Sequence, residues 1–250
     1  MSQGTFGWVA TETHNFDGKL RPFFPFFGSK WRDANRYPAP RGAVAEPFAG
    51  SAGYSCYYNP RAVTLVDVDP ILVGVWRYLI AVTPAEVRAL PDVEPGASVD
   101  DLPGLCEEAR WLIGFWLNRG SSTPKKRRTR FSSEEGDAQL VWGTRARERI
   151  ASQVEKIRHW TVREGAYHTL DGDFATWFVD PPYVAMGRYY RMKLAPEEYP
   201  ALATWCRARP GEVIVCEQRG ATWLPFGPLG HIKSQRGVSE EVVWTQRRAA

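Results

Sequence analysis

The tetrapeptide Asp180-Pro181-Pro182-Tyr183 has the residue types most suited to chemistry in this chain. It follows the apolar run Ala175-Thr176-Trp177-Phe178-Val179, which predicts a buried strand with the tetrapeptide at its carboxyl end, where open α/β sheets bind ligands. An acid followed by two prolines has few free backbone donors and a stiff φ at both prolines. The Asp180 carboxylate and the neighbouring carbonyls are thereby held as preorganised acceptors. Tyr183 adds a flat aromatic face. Such a set suits a planar ring with an exocyclic NH2, because two acceptors take both amine hydrogens while the ring stacks; a nucleobase amine is the obvious candidate. The same four residues also read as an ordinary turn ending a strand, so the rest of the chain has to decide.

Two further stretches bear on that choice. In Gly42-Ala43-Val44-Ala45-Glu46-Pro47 the apolar residues predict a short buried strand, and Phe48-Ala49-Gly50-Ser51-Ala52-Gly53 after it is a glycine-containing turn opening a helix through Tyr58. Glycines there let the backbone approach a cofactor, and the helix start favours an anionic group. The next strand, Ala62 to Val66, ends in Asp67-Val68-Asp69, which puts an acid about 17 residues beyond Gly50, near where such folds hydrogen-bond ribose hydroxyls. The full Gly-x-Gly-x-x-Gly of dinucleotide binders is missing, as is a Gly-x-x-x-x-Gly-Lys-Ser/Thr phosphate loop, so a single nucleoside without pyrophosphate fits best. Upstream, four phenylalanines, Phe23, Phe24, Phe26 and Phe27, precede the turn Gly28-Ser29-Lys30. They read equally as an aromatic plug under the sheet or as the approach to a lysine that meets an anion.

The elements that must hold these residues follow from periodicity and punctuation. Helices are predicted over Pro70 to Ile80, Pro84 to Leu90, Cys106 to Leu117, Thr144 to His159 and Pro196 to Arg207. Strands are predicted near Thr161 to Arg163, Glu212 to Cys216, Gly230 to Lys233 and Val242 to Thr245, the last two as an antiparallel hairpin. Residues 1–20 read as a loose arm, and a Pro/Gly/Asp-rich connector runs to Pro103. Between the helices lies Lys125-Lys126-Arg127-Arg128-Thr129-Arg130, five cations in six positions flanked by serines. It reads either as a solvated loop or as a phosphate-contacting segment. Ala185-Met186-Gly187-Arg188-Tyr189-Tyr190-Arg191 is basic, aromatic and glycine-containing, as a substrate-closing loop would be.

Composition narrows the class. The 250 residues suffice for one α/β core with an insertion, and a net charge of +4 mildly favours a polyanionic partner. Four scattered cysteines, Cys56, Cys106, Cys206 and Cys216, form no Cys-x-x-Cys pair, and the four histidines lack ligand spacing, so neither a disulfide framework nor a metal site is expected. A signal peptide pattern is missing and Arg77 breaks the longest apolar stretch, which predicts a soluble protein that is not exported and stays in the cytosol.

Taken together and in this order, the Phe-Gly-Ser-Lys segment, Glu46 to Gly53 and Asp180 to Tyr183 resemble the Dam-like (D12 class) DNA adenine-N6 methyltransferases over most of the chain. Pro25 to Lys30 is similar to that family's aromatic-x-Gly-Gly-Lys segment, Val66-Asp67-Val68-Asp69-Pro70 to its ribose-binding Asp-x-Asn, and Phe115-Trp116-Leu117-Asn118-Arg119 to its Leu-Asn-Arg helix end. The resemblance implies a Rossmann-like, mostly parallel sheet with a C-terminal antiparallel hairpin. It also implies a catalytic domain formed by residues 1–83 and 146–250, and a mainly helical target-recognition insertion over residues 84–145. It further implies that S-adenosylmethionine, without a metal, is held by Phe26, Phe27, Gly28, Lys30, Glu46, Pro47, Phe48, Gly50, Asp67 and Asp180. Double-stranded DNA would meet Asn118, Arg119, Lys125, Lys126, Arg127, Arg128, Arg130 and Arg188. Two departures stand out: Ser29 replaces a usual glycine, and Gly165-Ala166-Tyr167 lacks an acid usual there.

In that chemistry Asp180 and the Pro181 carbonyl would draw the amine nitrogen toward a pyramidal shape and make it a nucleophile, while Tyr183 stacks on the extruded base. The acceptors suit any exocyclic amine, so an RNA adenine or cytosine-N4 methyltransferase is an alternative. A catalytically silent nucleic-acid-binding relative is another.

Overall fold

The computed structural model describes residues 18–117, 121–129, 141–234 and 237–248. Seven strands within them form one sheet: β1 (Val44–Glu46), β2 (Val63–Asp67), β3 (Thr161–Glu164), β4 (Thr176–Val179), β5 (Gly211–Gln218), β6 (Gly227–Ser234) and β7 (Gly237–Arg248). Their order is β3-β2-β1-β4-β5-β7-β6. The first five strands in that order are parallel, and β7 runs antiparallel between β5 and β6. This is a Rossmann-like fold, a mostly parallel sheet with an antiparallel C-terminal hairpin. The chain steps outward from β1 to β3 and returns to β4, so the strand order reverses between β1 and β4 and opens a crevice at their carboxyl ends.

Alternation along the inner strands assigns the two faces. Trp177, Val179, Val213 and Val215 pack on one side with Leu202, Ala203 and Cys206 of α6 (Tyr199–Ala208). Phe178, Ile214 and Cys216 point the other way, toward Tyr37 and Tyr54. Tyr54 belongs to α1 (Gly53–Tyr58) and stacks on Phe178 with ring centroids 4.0 Å apart. The largest apolar cluster joins Leu65 of β2 to α2 (Pro70–Ala81) through Leu72, Val75 and Trp76. Asp69 caps α2 by accepting from the Ile71 amide, and proline stands at the first helical position, where its missing N–H costs nothing. A Thr83–Glu86 capping box opens α3 (Pro84–Ala89).

The segment predicted as an insertion shares this core. Leu112, Ile113 and Phe115 of α4 (Glu107–Trp116) lie in the same cluster as Trp76. The basic run is not a free loop: Val99 N donates to Lys126 O at 2.7 Å, Arg128 N to Ala97 O at 3.0 Å and Gly96 N to Arg128 O at 2.9 Å, a short antiparallel pairing.

One predicted helix is shorter than its periodicity suggests. Rather than continuing to His159, α5 (Thr144–Ala151) stops and a 3-10 turn follows over Val154–Ile157. Gln153 is the reason. Its side chain accepts from Arg21 N at 2.9 Å and donates to Arg21 O at 2.7 Å, tying the incoming chain to the helix end. No described helix is long and apolar enough to cross a membrane.

Candidate active site

The turn after β1 is built by two glycines with different tasks. Gly50 has φ +45, a left-handed value that disfavours any side chain. Gly53 is needed for closeness, since a Cβ there would meet Trp31 N at 2.7 Å and Lys30 N at 2.8 Å. Asp67 latches this turn from the end of β2: its Oδ2 accepts from Gly50 N at 3.1 Å and its Oδ1 from Asp69 N at 2.9 Å. Trp76 Nε1 donates to Gly50 O at 2.9 Å from below. Burial pushes the Asp67 carboxyl up to about 6, against the pull of the Asp69 and Gly50 amides. Glu46, at the end of β1, accepts from Ser55 N at 2.8 Å and is pushed up to about 8 by burial, so it is mostly protonated at neutral pH.

The four phenylalanines divide. Phe23 and Phe24 are fully buried in the core, whereas Phe26 and Phe27 remain partly exposed and line the crevice. Lys30 follows, buried, with Nζ 3.0 Å from Gly28 O and 2.9 Å from Asp180 Oδ1. The same ammonium lies 4.8 Å from the centre of the Tyr183 ring. Burial opposes the charge on Lys30, but the Asp180 and Glu241 carboxylates outweigh it and hold the amine above the usual lysine range. Burial lifts the Asp180 carboxyl above the usual aspartate range, and Lys30 limits that rise.

The tetrapeptide after β4 is clamped from three elements. Tyr199 of α6 donates to Pro182 O at 2.6 Å. Val184 N donates to Glu217 of β5 at 3.4 Å, and the Tyr183 hydroxyl donates to Glu241 of β7. Tyr183 is buried at 8% exposure, so its ring lies behind Asp180 rather than on the open wall.

The result is a cavity of about 270 Å³ at the β1/β4 switch point. It brings together Phe26, Phe27, Gly28 and Lys30 from the first stretch, Glu46, Pro47, Phe48 and Gly50 from the second, and Asp67, Asp180 and Pro182. Pro181 and Tyr183 do not line it. In place of the acid expected from the resemblance, Ala166, Tyr167 and His168 form the wall, and Tyr167 stacks on Phe48 with centroids 5.6 Å apart. The hydroxyls of Ser29 and Ser51 are buried in lining residues and have no hydrogen-bond partner among the described residues, so the wall has unspent polar capacity.

Several contributors were not singled out from the sequence. Arg191 Nη1 stands 2.8 Å from Asp69 Oδ1 across the mouth, and Tyr190 packs its ring on Phe26 and Phe27. Both lie in the stretch read as a closing loop, whose basic and aromatic composition was the available signal. Glu217 and Glu241, buried acids of β5 and β7 that each lie one position outside the predicted strands, had no local signal.

The predicted nucleic-acid contacts are only partly described. Asn118, Arg119 and Arg130 lie outside the described residues, as does the Arg188 side chain. Lys126 pairs with Asp100 at 2.8 Å, Arg127 donates to Gly96 O at 2.6 Å and Arg128 to Val93 O at 2.7 Å. Lys125 is exposed. Just before the run, Ser121 O accepts from Phe27 N at 3.2 Å and Ser122 donates to Tyr189 O, which anchors this segment at the cavity rim.

Comparison with protein-family models and with curated proteins finds no match. Among solved structures, the rRNA methyltransferase AviRa from Streptomyces viridochromogenes aligns at 16% identity and a TM-score of 0.45, over 90% of this chain and 87% of that one. A second AviRa structure aligns at 15% identity and a TM-score of 0.43, over 89% and 87%. The proposed methylase HI0767 from Haemophilus influenzae aligns at 9% identity and a TM-score of 0.38, over 92% and 100%.

Proposed function

We propose that this protein transfers a methyl group from S-adenosylmethionine to the exocyclic amine of a nucleobase, and that the base is an adenine extruded from double-stranded DNA. One observation carries the reading: Asp180, ion-paired with Lys30, stands on the wall of the same cavity that the Gly50 turn and Asp67 line. Cofactor pocket and amine acceptor are thereby adjacent.

The residues fit the cofactor. Asp67 offers a carboxylate suited to ribose hydroxyls, Phe26 and Phe48 offer aromatic faces, and the partnerless hydroxyls of Ser29 and Ser51 suit a polar ligand. When bound, S-adenosylmethionine supplies an electrophilic methyl on a sulfonium. The chain does the rest. Asp180, on the cavity wall, accepts an amine hydrogen, so the nitrogen lone pair is withdrawn from the ring and becomes nucleophilic. Lys30 keeps the partly buried Asp180 ionised, and the carboxylate takes the proton the amine sheds as its new N–C bond forms. Tyr199, Glu217 and Glu241 hold the segment still, so the acceptors need no reorganisation. Adenine in DNA is preferred over other amines on the resemblance of three ordered motifs to the Dam-like family, and the exposed Lys125 is placed to track phosphates.

The test is transfer of labelled methyl from S-adenosylmethionine to duplex DNA and, in parallel, to structured RNA, with the products digested to nucleosides. N6-methyladenine from DNA is expected. Label on RNA alone, or on cytosine, would replace the substrate assignment, and no transfer to either together with no cofactor binding in titration would sink the reading.

A further inference from the structure

Glu241 lies in β7, paired in register with Gln218 of β5, and its side chain turns inward to receive the Tyr183 hydroxyl. It is only 7% exposed, and burial lifts its carboxyl above the usual glutamate range against the pull of Lys30 and the Tyr183 hydroxyl. A carboxylate in such a place is a poor way to stabilise a strand, since an apolar residue of like volume would cost no desolvation. Its neighbour Glu217, also buried, accepts from Val184 N, the residue after Tyr183, and from Trp223 Nε1 at 3.0 Å. Two acids from adjacent antiparallel strands thus hold the end of the tetrapeptide, and Lys30 lies between Glu241's partner Tyr183 and Asp180.

We propose that Glu241 is a positioning residue that acts through Tyr183: by fixing the phenol it sets the Tyr183 ring under Lys30 and so fixes the Lys30–Asp180 pair for the reaction. The Tyr183 hydroxyl therefore matters as much as its ring. The proposal rests on the methyl-transfer reading for its kinetic consequence, and on geometry alone for the contact.

Two measurements separate these. In protein carrying ¹³Cζ-labelled tyrosine, the Tyr183 resonance is the one missing from Tyr183→Phe; it should move in both Glu241→Gln and Glu241→Ala. In kinetics, Glu241→Ala and Tyr183→Phe should each lower kcat by about tenfold or more while the cofactor Kd stays within about threefold, and Glu241→Gln, which keeps an acceptor, should recover part of the loss. The double variant Tyr183→Phe/Glu241→Ala should be no slower than the worse single one, the signature of one pathway. A Tyr183 resonance indifferent to both Glu241 variants overturns the contact. Multiplying losses, or a loss confined to cofactor Kd or to melting temperature, overturns the positioning role. An inactive wild-type protein sinks the methyl-transfer reading and the kinetic role together, leaving the resonance to decide the contact.

Discussion

Lys30 Nζ stands 2.9 Å from Asp180 Oδ1, joining the turn before β1 to the end of β4 at the one place where the strand order reverses. Neither group alone belongs in so dry a site: each makes the other tolerable.

Replacing Lys30 with methionine should therefore leave Asp180 partly buried without a counter-charge, with its carboxyl pushed further up. If Asp180 must be ionised to accept the amine, the acid limb of the pH–rate profile should move to higher pH and turnover at neutral pH should fall. Asp180→Ala should abolish nearly all transfer while leaving cofactor affinity within about tenfold. A variant keeping more than about a tenth of wild-type turnover would remove Asp180 from the chemistry.

Asp67 has two duties, holding the Gly50 amide and, as proposed, the ribose. Asp67→Ala should weaken S-adenosylmethionine binding by about 1 to 3 kcal/mol in titration calorimetry. It should also lower the melting temperature of the cofactor-free protein, because Gly50 N and Asp69 N lose their acceptor. Unchanged affinity would move the ribose elsewhere.

Glu46 and Asp67 have carboxyls raised by burial to about 8 and about 6. A raised folded-state value means the native state holds its proton longer than the unfolded chain. The stabilisation is complete below the usual carboxylate range and is lost as pH rises through about 6 and then about 8. Melting temperature should accordingly fall from about pH 4 to about pH 8, and Glu46→Gln, which is neutral throughout, should flatten that fall above about pH 6. An identical profile in the variant would show that Glu46 does not carry the effect.

The basic run should split into two kinds of residue. Lys125→Ala and Lys126→Ala should weaken binding to all DNA sequences alike, each lost phosphate contact reducing the log–log salt slope by about one unit. Arg127→Ala and Arg128→Ala should instead lower the melting temperature, since their guanidinium groups hold the Gly96 and Val93 carbonyls. Salt-slope changes confined to the arginines would reverse this division.

The sequence by itself determined the local and the periodic features. Apolar runs and alternation located the strands, Asp69-Pro70 and Thr83-Pro84 marked helix starts, and Gly50, Asp67 and the 180–183 tetrapeptide announced a strand-end site, because a turn, a cap or a two-residue repeat is decided by neighbours in the chain. The tertiary structure decided what depends on partners distant in the chain. Phe23 and Phe24 were indistinguishable from Phe26 and Phe27 until the core closed over the first pair. The helix after Thr144 carried no local stop, since the side chain that ends it is satisfied by the Arg21 backbone. The cations at 126–128 looked free because Asp100 and the Gly96 and Val93 carbonyls come to them only through the fold. Glu241 acquires its meaning only when the antiparallel addition of β7 sets it behind Tyr183, and Glu217 of β5 only when pairing with β4 brings Val184 to it: these partners of a buried charge are a property of the packed sheet, not of the neighbouring sequence.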